Sequence, residues 1–247
     1  WKKKNKFNRR IKIVCVSDWL AKKVRESYLF NKFDVHTIPP CINIKKWKNI
    51  DKNTSRNLLG FNLNEKIMIF SSFNGTSEKR KGFDILLKVL KTEYFKKNEY
   101  RLIVIGKISK EDLNKIPINH SNYLLNTTDN ELIFRLLYSA ADLLVMPSKL
   151  ESFGIVAQEA ACCGLPTIAF TNTGFEDTVS HKESGYIAKN DDLNDFYNGI
   201  NWCLNNENYS KISENAKAIS RTKFDENKIA SEYINFYNNL IKNYIKL

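Results

Sequence analysis

From Met146 to Pro166 the sequence reads Met-Pro-Ser-Lys-Leu-Glu-Ser-Phe-Gly-Ile-Val-Ala-Gln-Glu-Ala-Ala-Cys-Cys-Gly-Leu-Pro, a stretch whose residue types suit ligand binding. A strand ends at Pro147 and a helix begins near Ser152, with Gly154 just inside its start. A residue without a side chain there lets a ligand approach the N–H groups of Phe153, Gly154, Ile155 and Val156, which have no partner within the helix. Such a helix start favours phosphate. Two carboxylates accompany it, Glu151 before the helix and Glu159 about a turn and a half inside. A carboxylate only accepts hydrogen bonds, so each can hold neighbouring sugar hydroxyls. Most glutamates are solvated surface charges. Glu159 is different, because the run Ile155 to Cys163 around it is so apolar that a charge without a partner or ligand there is costly.

These residues need a scaffold, and the chain supplies the pattern of one. Short β-branched runs, Lys66 to Ser72, Arg101 to Gly106, Tyr123 to Asn126, Leu143 to Met146, Pro166 to Phe170 and Tyr186 to Ala188, alternate with amphipathic helical stretches. Apolar residues at helical spacing are Phe83, Leu86, Leu87 and Leu90, then Leu132, Ile133, Leu136 and Leu137. The alternation predicts an α/β fold, a Rossmann-like parallel sheet flanked by helices. Ligands of open sheets of this kind bind at the carboxyl ends of the strands. The first ~45 residues form a separate unit: a strand at Ile11 to Val16, a helix begun by Ser17 or Asp18, and a strand at Val35 to Ile38. A polar connector, Ile44 to Ser55, follows it. Three successive helices, Leu193 to Asn205, Ser210 to Arg221 and Asn227 to Ile245, end the chain.

Composition narrows the class. With 247 residues, 43% of them hydrophobic, the chain can bury a sizeable core, so disorder and fibrous designs are excluded. The longest membrane-span candidate, Ile133 to Met146, is too short and contains Arg135 and Asp142. The chain opens Trp1-Lys2-Lys3-Lys4 with no secretory leader, and two strands and a helix do not make a domain, so a piece of a longer protein is expected. Five cysteines with no C-x-x-C pair read as reduced core residues of a cytoplasmic protein. His36, His120 and His181 match no metal-ligand spacing. The net charge of +12 is spread along the chain without an aromatic-basic motif, so no nucleic-acid partner is expected. Attraction to anionic ligands, or peripheral contact with an anionic membrane, is compatible with it.

Pro-Ser-x-x-Glu-Ser-Phe-Gly-Ile-Val-x-x-Glu-Ala, followed by Gly164-Leu-Pro-Thr-Ile, is similar to the signature of the family 4 retaining glycosyltransferases, whose two-domain architecture is called GT-B. The resemblance covers nearly all of residues 11 to 245. It implies that residues 1–45 are the end of an acceptor-binding N-terminal domain, the rest of which is the chain's missing partner. By the same resemblance residues 46–226 form a Rossmann-like domain for a nucleotide-sugar donor, and 227–247 a C-terminal helix returning toward the N-terminal domain. Ser71 to Leu87 resembles the family's Lys-Gly diphosphate motif, with Lys81 as the phosphate lysine, Gly82 opening the helix and Arg80 a second cation. Each cation about 4 Å from a diphosphate oxygen contributes ~4 kcal/mol at an effective dielectric near 20. Where many members carry Gly-Arg at the preceding strand end, this sequence reads Phe73-Asn74-Gly75. Arg80 takes over that charge, or Asn74 and Gly75 donate hydrogen bonds in its place. Pro39-Pro40-Cys41-Ile42-Asn43 likewise lacks the family's Asn-Gly hinge turn.

The implied activity is transfer of a sugar from a nucleotide diphosphate sugar, UDP- or GDP-linked, to a hydroxyl acceptor with retained configuration. Lys81, Arg80 and the helix-start amides would stabilise the departing diphosphate, and Glu151 would hold the donor sugar. Glu159 would grip the ribose, with Ser152, Phe153, Gly154, Ile155 and Val156 forming the donor turn. Asn74, Gly75, Gly106, Lys107 and Thr127 would complete the nucleotide pocket, the base lying between the turns after Ile105 and Leu125. No Asp-x-Asp pair occurs and Asp129-Asn130-Glu131 reads as a helix start, so neither a metal nor any other cofactor is implied. Same-face attack and a protein nucleophile both accommodate retention. The acceptor, for instance a lipid-linked glycan, suggests polysaccharide or glycolipid synthesis at the inner face of a membrane. The chain alone is expected to bind donor without turnover. A related epimerase or phosphorylase and a non-catalytic nucleotide-sugar module are the alternatives.

Overall fold

A computed structural model describes residues 11–93, 95, 98, 100–117, 121–125, 130–205 and 207–245. Its centre is a six-stranded, all-parallel sheet in the order β5-β4-β3-β6-β7-β8. The strands are β3 (Lys66–Ser71), β4 (Tyr100–Ile105), β5 (Ser121–Leu125), β6 (Leu143–Met146), β7 (Thr167–Phe170) and β8 (Gly185–Ala188). Strand residues point alternately to opposite faces, so a sheet covered on both sides needs apolar residues at every position. β3 shows this: Ile67 and Ile69 enter one core, Met68 and Phe70 the other, and all four are fully buried.

Helices cover each face. On the Met68 side lie α3 (Phe83–Leu90), through Phe83, Leu86 and Leu90, and α8 (Leu193–Leu204), through Phe196, Ile200 and Cys203. Against Ile67 and Ile69 pack α5 (Glu131–Ala140), through Leu137, Tyr138 and Ala140, and α6 (Ile155–Cys162), through Ala157, Ala160 and Cys162. α4 (Lys110–Lys115) follows β4, and the single-turn α7 (Phe175–Thr178) follows β7. The strand order runs outward from β3 in one direction through β4 and β5, then restarts on its other side with β6. A crevice therefore opens at the carboxyl ends between β3 and β6.

The N-terminal unit is a two-stranded parallel sheet, β1 (Lys12–Cys15) and β2 (Asp34–Thr37), with α1 (Asp18–Glu26) packed on it. Ser17 caps α1 by accepting from the Leu20 N–H at 3.0 Å. The polar connector leads into a helix to which sequence assigned no element: α2 (Lys52–Leu59) starts at Asp51, whose carboxylate accepts from Thr54 N–H at 2.8 Å. A buried ion pair holds it, Arg56 Nη2 to Asp142 Oδ2 at 2.9 Å, and that same oxygen accepts from the Ile67 N–H at 2.7 Å. The chain ends in α9 (Tyr209–Lys223) and α10 (Glu226–Ile245). α10 runs back to the N-terminal unit, where the rings of Phe236 and His36 meet at 4.9 Å.

Four of the cysteines are buried and free, as a reduced core requires, but Cys41 is exposed on the connector. Among the described residues no cluster of His, Cys, Asp or Glu could hold a metal ion. No helix among them is long and apolar enough to cross a membrane.

Candidate functional site

The sheet's switch point brings the loop after β3 and the loop after β6 together. The three residues Lys79–Lys81 form one 3₁₀ turn ending at Gly82, whose φ of +75° is left-handed. A Cβ on Gly82 would sit 2.0 Å from the carbonyl oxygen of Pro147, so only glycine lets the two loops touch this closely. Lys149 N–H donates to the Arg80 carbonyl at 2.8 Å, fastening the second loop to the first. Across this junction Lys81 Nζ donates to Glu151 Oε2 at 2.5 Å, both side chains nearly buried. The other Glu151 oxygen accepts from the Ser152 N–H at 3.1 Å.

The helix starts three residues later than expected. Gly154 is its cap rather than its first turn, with φ +91°, and a Cβ there would lie 2.4 Å from the Phe175 ring. The first intrahelical bond runs from Ala157 N–H to the Gly154 carbonyl at 2.9 Å, so the amides of Gly154, Ile155 and Val156 precede the helical ladder. Lys81, Glu151 and Ser152 through Val156 line one cleft of about 270 Å³, together with Met146. This is the arrangement a phosphate needs: helix-start amides, the positive end of the helix dipole and one cation.

Other expected residues lie around the cleft rather than in it. Arg80 turns aside, pairing with Glu78 at 2.5 Å and donating to the Leu150 carbonyl at 3.4 Å, so its charge is already engaged by a carboxylate. Asn74 and Gly75 join Gly106 and Lys107 in a pair of turns at the ends of β3 and β4. Ser72 N–H donates to Ile105 O, and Thr76 N–H to Lys107 O, each at 2.9 Å. Thr127 lies outside the described residues.

Glu159, in α6, is mostly buried, and its carboxylate makes no hydrogen bond or ion pair with the described residues. Burial, and secondarily the Glu131 carboxylate, push its pKa up to about 7. Glu131 opens α5 and is itself paired with Lys46. A carboxylate held in that state is unusual for a structural residue and common where a ligand completes the site.

Two cleft residues, Val16 and Pro40, come from the segment that sequence sets apart as the N-terminal unit. Nothing in their types signals a binding role, because each contributes only a wall. Ser17 is fully buried beside them, and its hydroxyl donates to the Ser152 carbonyl at 2.5 Å. Its only sequence signal was that of a helix cap.

The model of the family described as "Glycosyl transferases group 1" matches residues 51–219. A D-inositol 3-phosphate glycosyltransferase of Segniliparus rotundus is 30% identical over 68% of this chain and 38% of its own length. The capsular polysaccharide biosynthesis glycosyltransferase CapM of Staphylococcus aureus is 27% identical over 93% of this chain and 62% of its own. Among solved structures, a sucrose-phosphate synthase from Thermosynechococcus elongatus superposes with a TM-score of 0.79 at 22% identity, covering 94% of this chain and 58% of that one. The Anabaena protein HepE in complex with UDP-glucose gives 0.70 at 19% identity, over 92% of this chain and 63% of that one. The chain thus spans less than two thirds of each of these proteins. A family match over more than half of the sequence, on a GT-B fold shared with these neighbours, makes the chain a member of the group 1 glycosyl transferases.

Proposed function

We propose that this chain carries the donor site of a retaining glycosyltransferase of family 4, which moves a sugar from a UDP- or GDP-linked donor to a hydroxyl acceptor. The observation that carries this is the single cleft shared by Lys81, Glu151 and the Ser152–Val156 turn at the switch point of the sheet. Negative charge grows on the β-phosphate as the glycosidic bond breaks. Lys81 and the helix-start amides meet it with fixed positive ends, so the protein reorganises little during the step. Glu159 accepts from the ribose hydroxyls, a role that suits a carboxylate buried without a protein partner. Glu151 holds Lys81 in place and accepts from a hydroxyl of the donor sugar. Arg80 reaches the diphosphate only by leaving Glu78, so Lys81 is the principal cation, without a metal ion. The turns at Asn74–Gly75 and Gly106–Lys107 form the base side of the site.

The capsular and inositol-phosphate relatives favour an acceptor that is itself a glycan or polyol, in surface-polysaccharide or glycolipid assembly. Attachment at the inner face of a membrane fits such acceptors and the positive charge of the chain. Calorimetric titration with UDP, GDP, ADP and their sugar conjugates tests the donor site. Saturable binding of one base, lost in Lys81→Ala, is the expected result; no binding by any of them contradicts it.

A further inference from the structure

The donor turn is held from two sides, and one of them is not the donor domain. The Glu151 carbonyl accepts from Gly174 N–H at 2.8 Å, a contact within the donor domain. The next carbonyl, that of Ser152, accepts from Ser17 Oγ at 2.5 Å, a contact from the N-terminal unit. In a planar trans peptide the N–H points opposite to the C=O. Gly174 therefore fixes the direction of the Ser152 N–H, which is turned to the Glu151 carboxylate. Ser17 fixes the direction of the Phe153 N–H, at the cleft-lining end of the same peptide.

Ser17 is well placed to do this because its own surroundings are rigid. It is fully buried, and its oxygen also accepts from Leu20 N–H at 3.0 Å, so one hydroxyl is both donor and cap. The unit that bears it is clasped to the donor domain. Asp177 Oδ1 accepts from Asp18 N–H at 3.0 Å at the N-terminus of α1, where a negative charge is favoured. Trp19 Nε1 donates to Asn172 Oδ1 at 3.3 Å, and Gln158 Nε2 of α6 donates to the Pro40 carbonyl at 2.8 Å. Ser17 lies outside residues 51–219, the stretch the family model matches.

We propose that Ser17 is a positioning residue for the donor site: its hydroxyl, held on the N-terminal unit, aims the Phe153 amide at the diphosphate. This rests on the donor-site function proposed above. The attachment of the N-terminal unit thereby sets how well the cleft receives phosphate, and loosening that unit weakens donor binding without altering any residue in the phosphate cleft's charge set.

The test is calorimetric titration of the 247-residue chain with UDP, GDP and ADP, for wild type, Ser17→Ala, Ser17→Thr and Asp51→Ala. Asp51→Ala removes a helix cap remote from the turn, a loss comparable to that of the α1 cap in Ser17→Ala. Ser17→Gly, a replacement that costs a helix N-cap only a few tenths of a kcal/mol, likewise has no proton for Ser152 and gives the same comparison should the alanine variant unfold. The expected result is a loss of about tenfold in affinity for the best nucleotide in Ser17→Ala and Ser17→Gly, the size expected when a buried acceptor loses its donor. Ser17→Thr and Asp51→Ala stay near wild type. Unchanged affinity in Ser17→Ala and Ser17→Gly, or an equal loss in Asp51→Ala, overturns the positioning role and leaves the donor site standing. If wild type binds none of the three, both fall together.

Discussion

Lys81 and Glu151 stand 2.5 Å apart and cancel each other's charge, so the cleft is close to neutral before an anion enters it. On the proposed function, an incoming diphosphate competes with Glu151 for the lysine. Glu151→Gln keeps an acceptor beside Lys81 but removes the opposing charge. Titration of this variant should show a few-fold tighter binding of the nucleoside diphosphate, together with loss of any added affinity from the attached sugar. Weaker binding of both ligands would mean that Glu151 serves mainly to hold the lysine. Glu159 gives a pH dependence of definite sign. Its folded value of about 7 lies above the ordinary 4.5, so the folded state retains a proton that the unfolded chain has lost. Its contribution is fully present below pH ~4.5 and is lost as pH rises through 7, by roughly 3 kcal/mol at most. Glu159→Gln, neutral at every pH, is therefore expected to match wild type near pH 4.5 and to be about 1–3 kcal/mol more stable at pH 8 in urea unfolding. The same variant should bind nucleotide more weakly at pH 8, and the fall in wild-type affinity from pH 8 to pH 6 should vanish in it.

At the scale of elements, α2 shows how a polar segment becomes a helix through tertiary contact. Its Asn, Thr and Ser residues have weak helix propensity, and it is held by Asp51 at one end, Gly60 at the other and Arg56 in the middle. Arg56 is 4% and Asp142 10% exposed at the side chain, whereas Lys52, the other partner of Asp142, is 36% exposed. Asp142→Ala leaves Arg56 buried without its counter-charge and is expected to cost about 3–5 kcal/mol in denaturant unfolding. Lys52→Met removes only a half-solvated partner and should cost less than ~1 kcal/mol. A similar cost for both would place the energy elsewhere. The sheet was legible because strands buried on both faces are written as continuous apolar runs, and β6 and β7 match their runs to within a residue. The end of the connector was not, since nothing local to Lys52–Leu59 announces that Asp142 lies beneath it. The helix start at residue 155 rather than near 152 has a similar origin. Gly154 takes a left-handed cap because the Phe175 ring occupies the space a side chain would need, and that ring arrives from a different element. Glu151 and the 152–156 turn lie in one motif and Lys81 in another, whereas Val16 and Pro40 carry no signal of the cleft they line; the Lys81–Glu151 pair and the turn of Arg80 toward Glu78 depend on loop geometry that spacing does not encode.

The whole molecule couples two units through one cleft. The half built on the large sheet supplies Lys81, Glu151 and the helix-start amides; the N-terminal unit supplies Val16 and Pro40 to the wall and Ser17 to the turn. The core of the large sheet draws on Ile42 and Trp47, so the connector is packed against that sheet's half of the molecule rather than hanging free of it. α10 then returns to β2, and the Ile42 N–H donates to the Phe224 carbonyl at 2.8 Å where the two passing chains meet. With a net charge of +12, the molecule also attracts polyanionic ligands over a distance set by salt, about 8 Å at physiological ionic strength. That long-range term adds to on-rate and is shared by any anion; the cleft must supply the selectivity. The central claim is thus a matter of where the diphosphate sits. A crystal structure of the chain with the nucleoside diphosphate that titration selects tests it most directly. Diphosphate oxygens are predicted within about 2.7–3.1 Å of Lys81 Nζ and of amides in the 153–156 turn, with the ribose hydroxyls on Glu159. A nucleotide bound elsewhere, or with its ribose on residues other than Glu159, would contradict the account.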